Sequence, residues 1–341
     1  LDIGELEFGG GMGHFGIGNR LERVEDDRFL TGQGRYLDDI VFENTVHVVF
    51  LRSTVAHAKI KNINIDMALK IPGVLSVYTS ADLEEDGVSS LPTLAHEWID
   101  LFQADGSPSF NPDRPLLSKD KVRYVGEAVV MVIAETEDIA KDAAEKIEID
   151  YDIYDAVVDT EVAHDPAQPQ LFDITDNNTS FLYRTGNPGV VENIFENADH
   201  IVTRKLVNNR VIVNPLEARG AVGQYNVKDS RYVLHCDTQH PWDVRKQTAT
   251  CLGIEPKDVR VVSSDIGGGF GIKYIAYPEH ILVLWAAKKI QRTVKWCSGR
   301  TEAFLCDAHA RDLVGTASLA LDKAGKFLAI KAEMNANLGA Y

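Results

Sequence analysis

The chain has 341 residues, 45% hydrophobic and 25% charged, with a formal charge of −16 at pH 7. Such a chain is globular and long enough for roughly two domains, and an acidic excess spread along the sequence without a basic block argues against nucleic acid as a partner. No apolar run reaches the ~18 residues of a membrane-spanning helix, and the first residues lack a basic segment leading into an apolar one, so the sequence reads as soluble and cytoplasmic, with no membrane span.

Residues 1–17, with Gly9-Gly10-Gly11 and few large apolar groups, read as an extended arm. Residues 18–160 alternate short strands and helices. The β-branched and aromatic content of residues 73–78 predicts a strand, Thr79 or Ser80 can cap a short helix over Ala81-Asp82-Leu83, and the apolar run 122–134 predicts a buried strand. Thr136 then caps a helix with acids in its first turn and Ile139, Ala140, Ala143, Ala144 and Ile147 on one face. The alternation of Ile147, Ile149, Tyr151 and Ile153 with polar residues predicts a half-exposed strand.

Residues 161–188 are rich in Asp, Asn, Pro and Gly and lack periodicity, which marks a linker over the surface. Residues 189–341 make a second unit, with a helix at 190–198, strands at 201–207, 231–236 and 259–262, and a helix with Pro278 in its first turn and Ile281, Leu282, Leu284 and Trp285 on a broad apolar face. A hairpin follows, 319–321 and 327–334 around Asp322-Lys323-Ala324-Gly325. The sequence stops at Tyr341 without a closing element, so the expectation is a domain cut short there.

The stretch Ser264-Asp265-Ile266-Gly267-Gly268-Gly269-Phe270-Gly271-Ile272-Lys273 is the strongest candidate for chemistry. Its glycines permit positive φ and close backbone approach to a ligand, and amides of a following helix would favour a negative group. Phe270 is unnecessary to a phosphate loop and is better explained as a wall beside a reaction centre. Two further clusters stand near strand ends, where α/β folds place ligands: Asn214-Pro215-Leu216-Glu217-Ala218-Arg219-Gly220, with a charged pair that could be buried, and Thr238-Gln239-His240-Pro241-Trp242-Asp243-Val244-Arg245. Taken singly each has a plainer structural explanation, a salt bridge, a core amide or a common turn; their ordered co-occurrence carries the weight. His57 and His309 have no second ligand at a metal spacing and read as structural, and Cys236, Cys251, Cys297 and Cys306 are too scattered for a zinc or iron–sulfur signature. No G-x-S-x-G, Walker loop or H-E-x-x-H is present.

In these motifs the chain resembles the molybdenum-binding large subunit of the xanthine dehydrogenase and aldehyde oxidase family, in its carbon monoxide dehydrogenase-like and heteroaromatic-oxidising branch. The resemblance runs from Gly18-Asn19-Arg20 and Arg23-Val24-Glu25-Asp26 through Thr31-Gly32-Gln33-Gly34-Arg35-Tyr36-Leu37-Asp38-Asp39, Arg52 to His57 and Val125-Gly126-Glu127-Ala128-Val129, to the three clusters above and Arg300-Thr301-Glu302 with Arg311-Asp312. It implies a mixed α/β (α+β) fold: an aldehyde oxidase/xanthine dehydrogenase α/β hammerhead domain followed by the first part of a molybdopterin-binding domain. It also implies molybdenum held by the dithiolene of a molybdopterin cytosine dinucleotide, without protein metal ligands. By position Gln239 matches the glutamine that hydrogen-bonds a molybdenum oxo group, Phe270 and Gly271 match residues beside the metal, where a backbone amide can also face an oxo ligand, and Gly268 and Gly269 would let the chain approach the pterin.

The implied activity is oxidation of carbon monoxide, an aldehyde or an N-heteroaromatic ring, with water as oxygen source and electrons leaving through a two-iron two-sulfur cluster on a small subunit and FAD on a medium subunit. A carbon monoxide enzyme would add copper. The implied assembly is a dimer of heterotrimers that also needs the C-terminal half of the same subunit, where the general base is expected, beyond Tyr341. Tyr274 stands where purine-oxidising members carry a glutamate, which disfavours purines; Trp242 replaces a frequent histidine and Ala218 a frequent proline. Two other readings remain: a non-catalytic half-subunit or assembly polypeptide of the same fold, and a nucleotide-binding dehydrogenase, the latter opposed by the missing G-x-G-x-x-G spacing.

Overall fold

The computed structural model describes residues 22–93, 101–103, 105–175 and 177–341. The expected arm at 1–17 and the Gly18-Asn19-Arg20 motif lie outside the described residues. The chain divides into two units at Arg35, and the first contains helix α1 (Asp26–Leu30), which begins with Asp26 and Asp27. The second unit, Tyr36–Tyr341, holds everything that follows.

Its elements in order are β1 (Thr45–Arg52), β2 (Ala58–Asn64), β3 (Val74–Tyr78), α2 (Ser80–Glu85), β4 (Lys121–Val122), β5 (Ala128–Ala134), α3 (Glu137–Ala144), β6 (Glu148–Ile153), α4 (Pro188–Asn197), β7 (His200–Asn208), β8 (Gly220–Asn226), β9 (Arg231–Cys236), α5 (Pro241–Leu252), β10 (Val259–Val262), α6 (Pro278–Ile290), β11 (Thr293–Cys297), α7 (Arg300–Cys306), β12 (Leu313–Leu321) and β13 (Phe327–Ala336). The strands build a seven-stranded sheet in the order β10-β9-β8-β11-β1-β5-β3 and two three-stranded sheets, β13-β12-β7 and β4-β2-β6. The fold is therefore mixed α and β, as the sequence implied.

β5 reads Ala-Val-Val-Met-Val-Ile-Ala and every residue of it is buried. A strand without a polar position needs cover on both faces. Met131 and Ile133 join one core with Val48 and Phe50 of β1, while Val130 and Val132 join a second with Ala140 and Ala143 of α3. α3 starts where expected, with the Thr136 side chain accepting from the Ile139 N–H. α6 is buried continuously from Pro278 to Ala287, the pattern of a helix apolar all round. It packs on β8 and β11 and beside α5. Gly223 of β8 allows this approach, since a Cβ there would stand 2.3 Å from the Val283 carbonyl oxygen.

The main sheet draws on both stretches separated in the sequence reading. β1 runs parallel to β11 with Thr45 opposite Thr293, and a single core joins Val46, Phe50 and Met131 to Leu234, Leu282 and Trp296. The intervening segment lies against the first stretch: Lys121 Nζ meets Asp173 at 2.8 Å and Arg123 Nε donates to the Leu171 carbonyl at 3.1 Å. The terminal hairpin is present and longer than predicted, with β12 also paired along β7. Among the described residues no helix is long and apolar enough to cross a membrane.

Candidate functional site

The connection from β10 to α6 carries the Gly267-Gly268-Gly269-Phe270-Gly271 stretch. Its φ is +101° at Gly268, +50° at Phe270 and +97° at Gly271. For glycine this region is free, but for Phe270 it costs roughly 1–3 kcal/mol. Burial of the ring does not offset that cost, because Phe270 is 76% exposed. A bulky residue held in this region is the kind of backbone strain that clusters at ligand sites. The turn is closed by Ile272 N–H to Gly269 O at 3.2 Å and Tyr274 N–H to Gly271 O at 3.1 Å.

Gln239, just past β9, reaches this turn. Its Oε1 accepts the Gly271 N–H at 2.9 Å, and its backbone N–H donates to Lys273 O at 2.8 Å. With Oε1 engaged, the NH2 end of the same amide is the end left to donate to a ligand oxygen. The Gly271 amide is engaged by Gln239 here. A Cβ on Gly269 would stand 2.4 Å from Gln239 Cδ, and one on Gly268 would meet the Phe270 ring at 2.9 Å and Pro215 Cβ at 3.1 Å. A side chain at 269 would therefore displace Gln239, while Gly268 is favoured by its positive φ.

Two expectations are corrected. The glycine stretch does not open directly into a helix: α6 begins at Pro278, and its first turn is buried with Glu279 against Arg52 at 2.7 Å and Arg219 at 3.2 Å. The start of that helix is thus occupied by a buried ion-pair network centred on the Glu279 side chain and lies away from the glycine turn. Glu217 and Arg219 also do not pair with each other. Arg219 is buried, with Nε on Asp307 at 2.6 Å, Nη1 on Glu279 and its guanidinium 3.6 Å from the Tyr277 ring centre. Burial pushes Glu279 up, but the charges of Arg219, Arg52 and Arg114 outweigh it and hold the carboxyl well below the usual range. Glu217 instead serves the loop: Oε2 accepts from Gly267 N–H at 2.7 Å and Lys273 Nζ at 3.1 Å, and Oε1 from Leu37 N–H at 3.3 Å.

The three sequence clusters therefore converge, and they do so through Lys273 and Arg300, both within quoted motifs, and through Asp237, which the sequence did not mark. Asp237 forms an ion pair with Lys273 and accepts from Gly220 N–H at 3.0 Å; burial pushes its carboxyl up to about 6 against the pull of the Lys273 ammonium. Arg300 donates to the Pro215 and Leu216 carbonyls at 2.7 and 2.6 Å and so pins the turn before Glu217. Only the positions of Lys273 and Arg300 inside those motifs hinted at this; nothing in the sequence marked Asp237 or Glu279. Tyr274 stacks on His240 with ring centres 4.7 Å apart, and Trp242 is 66% exposed beneath the Arg245 guanidinium.

His57 is buried, with Nδ1 3.2 Å from the Asp155 carbonyl, and His309 Nε2 lies 3.3 Å from the Phe304 carbonyl. The four cysteines are free thiols. Among the described residues no group of three His, Cys, Asp or Glu could hold a metal ion. What converges at the loop is an amide side chain, backbone N–H groups and an aromatic wall, a donor set that suits a group bringing its own metal ligands.

Residues 171–341 match the molybdopterin cofactor-binding domain, and residues 31–155 match the aldehyde oxidase and xanthine dehydrogenase a/b hammerhead domain. The chain belongs to this family. It is 34% identical to the nicotine 6-hydroxylase large subunit of Paenarthrobacter nicotinovorans over 95% of its own length and 38% of that relative. It is 32% identical to the carbon monoxide dehydrogenase large chain of Hydrogenophaga pseudoflava, covering 96% of this chain and 40% of the other. The crystal structure of quinoline 2-oxidoreductase from Pseudomonas putida 86 superposes with a TM-score of 0.84 at 34% identity, over 93% of this chain and 39% of that one. The chain thus spans about two fifths of the length of these relatives.

Proposed function

We propose that this chain forms the cofactor-facing part of the large subunit of a molybdenum hydroxylase. In this reading Gln239 donates from its amide to an oxygen on the metal, Phe270 and Gly271 stand beside the metal, and Gly268 and Gly269 line the approach of the pterin, a cytosine dinucleotide form. The observation that carries it is the bond from Gly271 N–H to Gln239 Oε1, which ties the amide of one cluster to the strained aromatic turn of another. The cofactor supplies the redox chemistry; the protein supplies position, hydrogen bonding and a wall that orients a small substrate. Quinoline 2-oxidoreductase, carbon monoxide dehydrogenase and nicotine 6-hydroxylase among the relatives support an N-heteroaromatic ring or carbon monoxide as substrate class, with an aldehyde the third candidate within the family. Electrons would leave through iron–sulfur and FAD subunits in a dimer of heterotrimers, with the base supplied by a polypeptide region not in this chain. The domain assignment follows the same reading: hammerhead over 18–160, linker over 161–188, and cofactor-binding portion over 189–341.

Metal analysis by mass spectrometry of the natively purified protein with its co-purifying subunits tests this. Near-stoichiometric molybdenum with iron is the expected result, and added copper assigns carbon monoxide as substrate. A preparation with intact partners and no molybdenum would overturn the proposal.

A further inference from the structure

Lys273 carries a charge with almost no contact with water: its side chain is 1% exposed. A buried ammonium is costly unless it is paired and fully hydrogen-bonded. Here it bridges two carboxylates from different parts of the chain, Glu217 at 3.1 Å and Asp237, and donates to the Glu217 carbonyl at 2.9 Å. Each partner holds something beyond it. Glu217 fixes the entry of the glycine turn by accepting from the Gly267 N–H and donating its own N–H to Gly267 O at 3.1 Å. Asp237 directly follows β9, two residues before Gln239, and the Lys273 carbonyl accepts from both Gln239 N–H and Thr238 Oγ1 at 2.8 and 3.0 Å.

We propose that Lys273 is a positioning residue: its buried ammonium locks Glu217 to Asp237, and this lock sets the distance from Gln239 to the Phe270-Gly271 turn. The lysine closes the base of the loop with one charge, where neutral side chains would leave two carboxylates facing each other across the same space. This rests on the reading of the turn as the cofactor site, but the lock is a property of the protein alone and is measured without cofactor.

The test is hydrogen–deuterium exchange on the full protein and on two variants, Lys273→Met and the charge-balanced Lys273→Met with Asp237→Asn. The second keeps the site's net charge at the wild-type value and avoids two carboxylates facing each other, which guards against misfolding from their repulsion. Exchange in the peptide spanning 264–275 should rise about tenfold or more in both, with α6 and β5 keeping wild-type protection. In enzyme assembled with its partners, the balanced variant should lower kcat more than it raises KM. Wild-type protection of the 264–275 peptide in the folded balanced variant overturns the proposal, as does an equal rise across all elements, which would show a role in stability only. If loop exchange rises as expected while wild-type protein holds no pterin, the lock stands and the cofactor reading fails.

Discussion

Gln239 was marked in the sequence by its place ahead of a helix and, through the family resemblance, as the glutamine facing a molybdenum oxo group; the structure places its oxygen on the Gly271 N–H at 2.9 Å. One neutral hydrogen bond at an exposed turn contributes about 1 kcal/mol. Gln239→Ala should therefore change the melting temperature little, since Gly269 and the Glu217 contact still hold the loop. On the proposed function it should lower turnover by about 10²-fold, the scale of losing one preorganised donor at developing charge, while molybdenum content stays near wild type. Equal loss of metal and activity would assign Gln239 to cofactor retention instead. Glu217 and Arg219 show why residue-level pairing escapes a sequence reading. They are two positions apart, yet their partners, Lys273 and Gly267 for one and Glu279 and Asp307 for the other, come from elements far along the chain.

Periodicity and capping carried most of the information about elements. The Thr136 cap, the apolar run of β5, Pro278 at the start of α6 and the Asp322 to Gly325 hairpin turn are local signals, and each reports a local cause. The extent of β12 and its second partner β7 were not local and were not legible. In α6, His280 is buried and its Nδ1 accepts from Tyr277 N–H at 3.3 Å. Burial, reinforced by the Arg219 charge, pushes its pKa down to about 3 from 6.5. The folded imidazole stays neutral while the unfolded one takes a proton below 6.5. Its contribution is therefore fully present above pH 6.5 and is lost as pH falls toward 3, by up to about 1.4 kcal/mol per pH unit. Thermal melts from pH 7 to 4 should show a flatter pH dependence for His280→Gln than for wild type. Parallel curves would mean that the buried carboxylates, not this imidazole, govern acid sensitivity.

At the scale of the whole molecule, a buried charge network binds stretches the sequence separates. Arg52 of β1 donates to Glu279 of α6 and Glu302 of α7, both at 2.7 Å, and to the Gly126 carbonyl at 3.2 Å. Removing one partner of such a network commonly costs 3–5 kcal/mol, because the charges left behind remain buried. Arg52→Met should lower the melting temperature while calorimetry still shows one transition for Tyr36–Tyr341, since β1 and β11 share a sheet. Two resolved transitions would show that the stretches before and after the linker fold independently. The sequence by itself determined the local elements, the acidic character and, through ordered motifs, the family. Those depend on near-neighbour periodicity and residue type, which a linear reading retains. The tertiary structure alone decided that one sheet joins both stretches, that Glu217 serves the glycine loop while Arg219 serves the core, and that Lys273 lies between two carboxylates. Such contacts depend on which distant groups share a low-dielectric interior, where each buried charge must find a partner wherever the fold brings one.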